Sequence, residues 1–516
     1  MPAASDAATP PAAAARRRPP TVAVVGMGAT GVGVFVALVR SLVDGGHADG
    51  AEVHLFETGK RLGAGVAYST PHDCHLLNMR AGTMSVHADD PDHFVRWLAD
   101  RDDVPEEALR GEYVPRRLFA SYLQEYFAEA LGEARRSGVR VRTHQAVVSD
   151  CREDGDGLHL IAGVDHFLVD YAFLCLGDLP STEYLEFTKV PSYVHSMWQG
   201  TGLEAVDPDA SVGIIGTSLT AVDALLLLRS SGHRGAISCF SRRRSLPKVQ
   251  GPRRGHTLRH VTVAGLRRLT EDFTRPLELD EVAELFRREL EEGLGVAVDW
   301  PRMLAEPDAA FAGVLARDVR LAENGQTLWY SILDATSEVV PQVWRAMSPS
   351  ARETFVRDHL SVWSMFRHCM PLDNARRLLS MAEDGAFEVL TGLGSVAWDE
   401  EREVFRLDGG QRGEAYAREV DWLVNATGTG FSLDRSDSSL IQNMLMRGAI
   451  RPHPLGGIDV DFETMRVLRS DGSCSDRALS IGPLTRGVHF YTNSFETNLA
   501  NAHSAVAAVS ARLGDR

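Results

Sequence analysis

The residues Gly26-Met-Gly28-Ala-Thr30-Gly31 set three glycines at the spacing that lets a main chain approach a dinucleotide pyrophosphate. They follow a short β-branched run, Thr21 to Gly26, and precede apolar residues at helical spacing from Val32 to Val43. Strand, tight turn and helix in that order aim backbone N–H groups and the positive end of a helix dipole at an anion. A lone G-x-G-x-x-G is weak evidence, so its context decides. Glu52 to Glu57 alternates as a strand and ends in Glu57, an acid suited to a ribose hydroxyl, although it stands 26 residues beyond Gly31. The polar loop from Asp44 to Gly50 accounts for that long spacing.

A second site of the same kind is Gly216-Thr217-Ser218-Leu-Thr-Ala221, in which Ser and Ala replace two glycines. It lies between a strand, Ser211 to Gly216, and a leucine-rich helix, Leu219 to Ser230, stopped by Gly232. Its partner strand, Ala236 to Ser241, ends in Ser241-Arg242-Arg243-Arg244 rather than in an acid. Guanidinium groups at that strand end suit a 2′-phosphate, which predicts NADP; the competing reading of an arginine run is a solvated face.

The elements that must position these sites follow from length and pattern. At 516 residues the chain is long enough for two or three domains. Two strand-to-glycine segments, Phe173-Leu-Cys175-Leu-Gly177-Asp178-Leu-Pro180 and Val424-Asn425-Ala-Thr427-Gly428, suit links between paired nucleotide folds. Between about 252 and 390 the text turns to amphipathic helix, with Val282, Leu285, Phe286 and Leu290 on one face, better explained as core than as function. The expectation is an α/β protein with two Rossmann-type domains and a helical insertion. Residues 1–20 are a disordered tail, 21–205 the first part of one domain, 206–345 the second domain with the insertion, and 346–516 the second part of the first.

Composition narrows the function. A net charge of −16 disfavours nucleic acid or an anionic membrane as the main partner. No stretch reaches the roughly 20 unbroken apolar residues of a membrane helix. Six scattered cysteines with no Cys-x-x-Cys specify neither a redox dithiol nor a metal site, and suit reduced thiols in a cytoplasm.

Beyond these patterns, the stretch Arg61-Leu-Gly63-Ala-Gly65-Val-Ala-Tyr68, continuing through His75-Leu-Leu-Asn78-Met79 to Asp89-Asp90-Pro91 and Trp97, resembles bacterial FAD/NAD(P)-binding proteins related to class B flavin monooxygenases and N-hydroxylases. Tyr113-Val-Pro115-Arg116 and Ile481-Gly482-Pro483-Leu-Thr485-Arg486-Gly487 are similar to the segments near the flavin in that group. Arg367-His368 stands where the group tends to carry a basic pair, but Cys369 departs from its wording. The resemblance implies FAD in the first domain, held by Gly26, Gly28, Thr30, Gly31, Glu57, Arg61, Gly65, Gly482 and Pro483. It implies NADPH in the second, held by Gly216, Thr217, Ser218, Ser241, Arg242 and Arg243, with Thr427 and Gly428 beside it. Asn78 and Met79 become the first candidates beside the flavin ring, although Asn78 equally suits the cap of a turn. The implied activity is NADPH-dependent oxygenation of a small nucleophile, an amino acid or small amine, through a flavin C4a-hydroperoxide and molecular oxygen, as in flavoenzymes of natural-product pathways. Two alternatives remain open: a flavin oxidoreductase passing electrons to another acceptor, and a flavin-carrying sensor without turnover. Oligomeric state is not legible.

Overall fold

The computed structural model describes residues 18–514 apart from 60, 88–89, 102–103, 105–112, 199–201, 244–245 and 305–309. Most of the expected tail, Arg244 and Asp89 lie outside the described residues.

Short apolar runs form the central strands, as buried parallel strands require. The first, β1 (Thr21–Val25), is buried from Val22 onward, and helix Ala29–Asp44 carries the chain to β2 (Glu52–Glu57). Helix Arg116–Arg136 leads to β3 (Arg140–Gln145). A meander of β4 (Val148–Glu153), β5 (Leu158–Ala162) and β6 (Asp165–Val169) precedes β7 (Tyr171–Leu174), which is buried throughout. Then come β8 (Tyr193–Val194), β9 (Val212–Ile215), helix Leu219–Ser230 and β10 (Ile237–Ser241). After a helical layer follow β11 (Phe387–Thr391), a second meander of β12 (Leu393–Asp399), β13 (Val404–Gln411) and β14 (Glu414–Val420), and β15 (Trp422–Asn425). The chain closes with β16 (Arg466–Leu468), β17 (Cys474–Ser480) and helix Phe495–Gly514.

These strands build two mostly parallel sheets, ordered β16-β17-β7-β1-β2-β3 and β11-β10-β9-β15-β8. Only β16 runs antiparallel, at the edge of the first. The two sheets share one plan. In the first, Val22 stands between Val53 of β2 and Tyr171 of β7; in the second, Val212 stands between Ile237 of β10 and Trp422 of β15. The α/β class with two Rossmann-type folds and a helical insertion is therefore the observed architecture.

Helix Ala29–Asp44 packs between helices Arg116–Arg136 and Phe495–Gly514. Phe35, fully buried, meets Phe127 with ring centroids 5.3 Å apart, and a β-carbon on Gly33 would stand 3.1 Å from Leu499. The insertion is helical as expected: in helix Leu279–Leu294, Val282 and Leu290 are buried and Leu285 and Phe286 pack beside them. They are core.

Two features differ from the sequence reading. The boundary at residue 346 falls inside the second unit, because β11 and β15 pair with β10 and β9; β8, before residue 206, is an edge strand of the same sheet. A parallel sheet takes its strands from wherever crossovers return, and an apolar run carries no mark of which sheet it joins. The two antiparallel meanders were also unforeseen. Among the described residues no helix is long and apolar enough to cross a membrane.

Candidate functional site

Each sheet ends in a cradle of the same construction. Gly26 turns at φ +92° after β1, where a β-carbon would overlap the carbonyl oxygen of Cys175 just past β7. Gly216 turns at φ +122° after β9, where a β-carbon would overlap the carbonyl oxygen of Ala426 just past β15. Only glycine meets both demands, left-handed backbone and no side chain. The Gly26 N–H bonds to the Phe56 carbonyl at 2.9 Å and the Gly216 N–H to that of Phe240 at 2.7 Å, which locks each turn to its neighbouring strand.

The first cradle gathers residues from three parts of the chain. Gly28 caps helix Ala29–Asp44 with ordinary extended backbone, and its α-carbon faces Gly65; a β-carbon on Gly28 would sit 3.4 Å from the Gly65 α-carbon. The neighbouring N–H of Gly63 donates to Met27 at 2.7 Å, which fastens that loop to the turn. Gly482, followed by Pro483 in a short 3-10 turn, would place a β-carbon 3.5 Å from the hydroxyl of Thr30. Glu57 ends β2 beside the turn: one carboxylate oxygen accepts from the Met27 N–H at 2.9 Å, the other from the N–H groups of Thr58 and Gly59 at 2.7 and 3.0 Å. Gly26, Gly28, Thr30, Gly31, Glu57, Gly65, Gly482 and Pro483 thus converge. Arg61 is exposed on the intervening loop.

In the second cradle Ser218 caps helix Leu219–Ser230, Thr217 is buried, and Ala221 is fully buried where a third glycine would stand. Ser241, Arg242 and Arg243 follow at the end of β10 with both arginines exposed, and Arg243 donates to the Arg357 carbonyl at 3.4 Å.

The strand-to-glycine segments run side by side. Leu179 and Gly430 form an antiparallel bridge, with the Gly430 N–H donating to Leu179 at 3.0 Å. The Thr427 hydroxyl lies 2.9 Å from that of Ser181, and Asn425 donates to the Glu183 carbonyl at 3.2 Å. Gly177 and Gly428 therefore sit where the two folds meet.

Several titratable side chains gather at this junction, each shifted by its surroundings. Asp178 is exposed, but burial pushes its carboxyl up against a hydrogen bond from Thr429 and the charge of Arg486. Burial pushes the Tyr68 phenol up to about 12 and lowers the Arg486 guanidinium. His368 is brought down to about 4 by burial and then by Arg367 and Arg486, so it is neutral. Its Nε2 lies 3.0 Å from the amide nitrogen of Asn493, and its ring stacks on Tyr491 with centroids 6.1 Å apart. Arg367 is buried over the same tyrosine at 4.7 Å. Deeper along this wall, burial and then Asp334 and Glu338 push the Glu496 carboxyl up to about 7.

Asn78 and Met79 are half-buried on the loop beyond Gly65, and Met79 packs on the core of the first unit. The Asn78 carbonyl accepts from Gln250 at 3.0 Å. Arg116, at the start of its helix, makes a buried ion pair with Asp223 of the second cradle's helix at 2.7 Å. Burial pushes the Asp223 carboxyl up to about 6 while Arg116 pulls it back. Sequence reasoning missed Asp223 and Gln250 as junction residues, and it took in Asp178 and Arg486 only as parts of longer segments, without a site role of their own. The one available signal was adjacency: Asp178 follows Gly177, and Arg486 closely follows Gly482.

Residues 23–179, which run from β1 through the first crossover, match the sequence model of the FAD-NAD(P)-binding family. No curated protein matches the chain by sequence. Among solved structures the chain is similar to L-lysine 6-monooxygenase from Pseudomonas syringae, at 12% identity and a TM-score of 0.58, over 96% of this chain and 99% of that one. It is similar to ornithine hydroxylase from Pseudomonas aeruginosa at 13% identity and 0.57, over 96% and 99%. It is also similar to a bacillithiol disulfide reductase from Staphylococcus aureus at 11% and 0.51, over 96% and 98%. At such identities the likeness is one of fold.

Proposed function

We propose, from the FAD-NAD(P)-binding domain at residues 23–179, that the chain is an FAD-dependent oxidoreductase, reduced by NADPH, that N-oxygenates a small amine or amino acid with molecular oxygen. The observation that carries the reading is the meeting of two dinucleotide cradles at paired strand-to-glycine segments, with titratable side chains gathered at their junction. The fold shared with a lysine monooxygenase and an ornithine hydroxylase supports oxygenation as the outcome.

Bound FAD would supply two-electron storage and reaction with oxygen. The chain's residues do the rest. Gly26, Gly28 and Gly31 admit the pyrophosphate to the N-terminus of helix Ala29–Asp44, Glu57 takes the ribose hydroxyls, and Gly65, Gly482 and Pro483 close over the rest. Gly216, Thr217 and Ser218 receive the second pyrophosphate, with Ser241, Arg242 and Arg243 on the 2′-phosphate and Thr427 and Gly428 at the junction. Asn78 and Met79 form a wall that excludes water. An amine must lose its ammonium proton before it can act as a nucleophile, and Asp178, Glu496 and the neutral His368 are the acceptors gathered at this junction.

A second reading, electron transfer to another acceptor, draws on the fold shared with the disulfide reductase. Against a protein dithiol stand six cysteines that are all free, with Cys151, Cys175, Cys239 and Cys369 buried and burial pushing their thiols up. The test is NADPH oxidation by the FAD-loaded protein across a panel of amines and amino acids, with product and hydrogen peroxide both quantified. N-oxygenated product replacing most of the peroxide is the expected result. Peroxide equal to NADPH consumed for every compound would transfer the assignment to electron transfer, and no NADPH oxidation would leave a flavin-carrying binding protein.

A further inference from the structure

Gln250 has both ends of its side-chain amide engaged twice over. It lies beyond the end of β10 and is 3% exposed. Its amide nitrogen donates to the carbonyls of Asn78 at 3.0 Å and Cys369 at 2.7 Å, and its oxygen accepts from the hydroxyls of Tyr113 and, at 3.2 Å, Tyr330. The reversed amide would set its oxygen against two carbonyl oxygens, so the network determines the orientation. The residues on either side are held as well. The Gln250 N–H donates to the Met370 carbonyl at 2.9 Å, and Arg80 donates to the Gly251 carbonyl at 2.6 Å. The Arg80 guanidinium lies 5.5 Å from the Tyr113 ring and 5.6 Å from that of Tyr330.

These contacts join pieces that are separate everywhere else in the sequence. Asn78, Arg80 and Tyr113 belong to the first cradle's side, Tyr330 and Cys369 to the helical layer, and Gln250 to the segment that leaves the arginine-bearing strand end of the second cradle. The buried amide, with Arg80 on the neighbouring Gly251 carbonyl, therefore fixes the local spacing between the Asn78–Met79 wall and the strand end that receives the second dinucleotide. Hydride transfer falls steeply when donor and acceptor are misplaced by about 1 Å.

We propose that Gln250 is a positioning residue for flavin reduction: it holds the wall of one cradle in register with the other and touches neither nucleotide. This rests on the functional reading above. The test is rapid-mixing measurement of flavin reduction in FAD-loaded protein, by NADPH over a range of concentrations and separately by dithionite, which needs no nicotinamide alignment. Gln250→Leu removes all four side-chain bonds at similar volume, and Tyr113→Phe with Tyr330→Phe removes two while keeping the amide. Gln250→Leu should lower the limiting rate with NADPH at least about tenfold, the expected sign of lost alignment. The NADPH dissociation constant should move less than about threefold, a binding change under 1 kcal/mol, and the dithionite rate should stay at the parent value. The double phenylalanine variant should show a smaller loss of the same kind.

Parent-like NADPH reduction in a folded Gln250→Leu protein overturns the inference, as does a loss confined to nucleotide affinity or shared equally by dithionite. Where Gln250→Leu fails to fold, a parent-like rate in the double variant overturns it. Failure of the unaltered protein to be reduced by NADPH defeats the functional reading itself, and that outcome is distinct from all the others.

Discussion

At the scale of single residues, Gly26 and Gly28 in the turn of the first cradle have different reasons to be glycine, and substitution separates them. At Gly26 the protein itself forbids a side chain: the backbone is left-handed and the Cys175 carbonyl fills the space. At Gly28 the backbone is ordinary and a methyl group would meet only the Gly65 α-carbon at 3.4 Å, so any further demand for glycine comes from a ligand. Gly28→Ala should therefore fold normally but purify with much less FAD, whereas Gly26→Ala should lose stability whether or not FAD is present. Flavin content by absorbance and thermal unfolding with and without added FAD distinguish them, and full flavin loading in Gly28→Ala would count against the first cradle as the FAD site.

At the scale of elements, β10 delivers two arginines to the edge of the second cradle, and nothing else about the strand explains them. Arg242 and Arg243 are exposed after a run, Ile237 to Phe240, that is wholly buried. A charge-assisted bond from either to a 2′-phosphate is worth about 1.5 to 3 kcal/mol, so Arg242→Ala and Arg243→Ala should each narrow the preference for NADPH over NADH by about tenfold to a hundredfold. Flavin reduction by both cofactors measures this directly. If neither variant changes the ratio, the arginines are a solvated face, the reading that their sequence alone left open.

At the scale of the whole molecule, the two nucleotide units are tied by the buried Arg116–Asp223 pair as well as by Gln250. Asp223→Ala strands a buried guanidinium and should cost about 3 to 5 kcal/mol, while Arg116→Met with Asp223→Leu should restore most of that loss. Urea unfolding of the three proteins checks it; a single-variant cost under about 1 kcal/mol would mean that the pair does not hold the units together. Much of this molecule was already legible in the chain. Glycine turns between strand and helix, the acid ending β2 and the arginines ending β10 are local patterns, and local patterns determine local geometry wherever they occur. The helical layer was legible too, since its apolar residues recur at helical spacing. The meanders were not: strands such as β14, Glu-Ala-Tyr-Ala-Arg-Glu-Val, are polar on exposed faces and have no buried run to betray them. Nor was the division between units, because β11 and β15 join the second sheet through pairings that sequence distance does not encode. The gathering of titratable groups at the junction, the neutral His368, the raised Asp178 and the saturated Gln250 side chain belong to tertiary structure alone. Each depends on what distant segments place around a side chain, and burial, charge and hydrogen bonding act through space rather than along the chain.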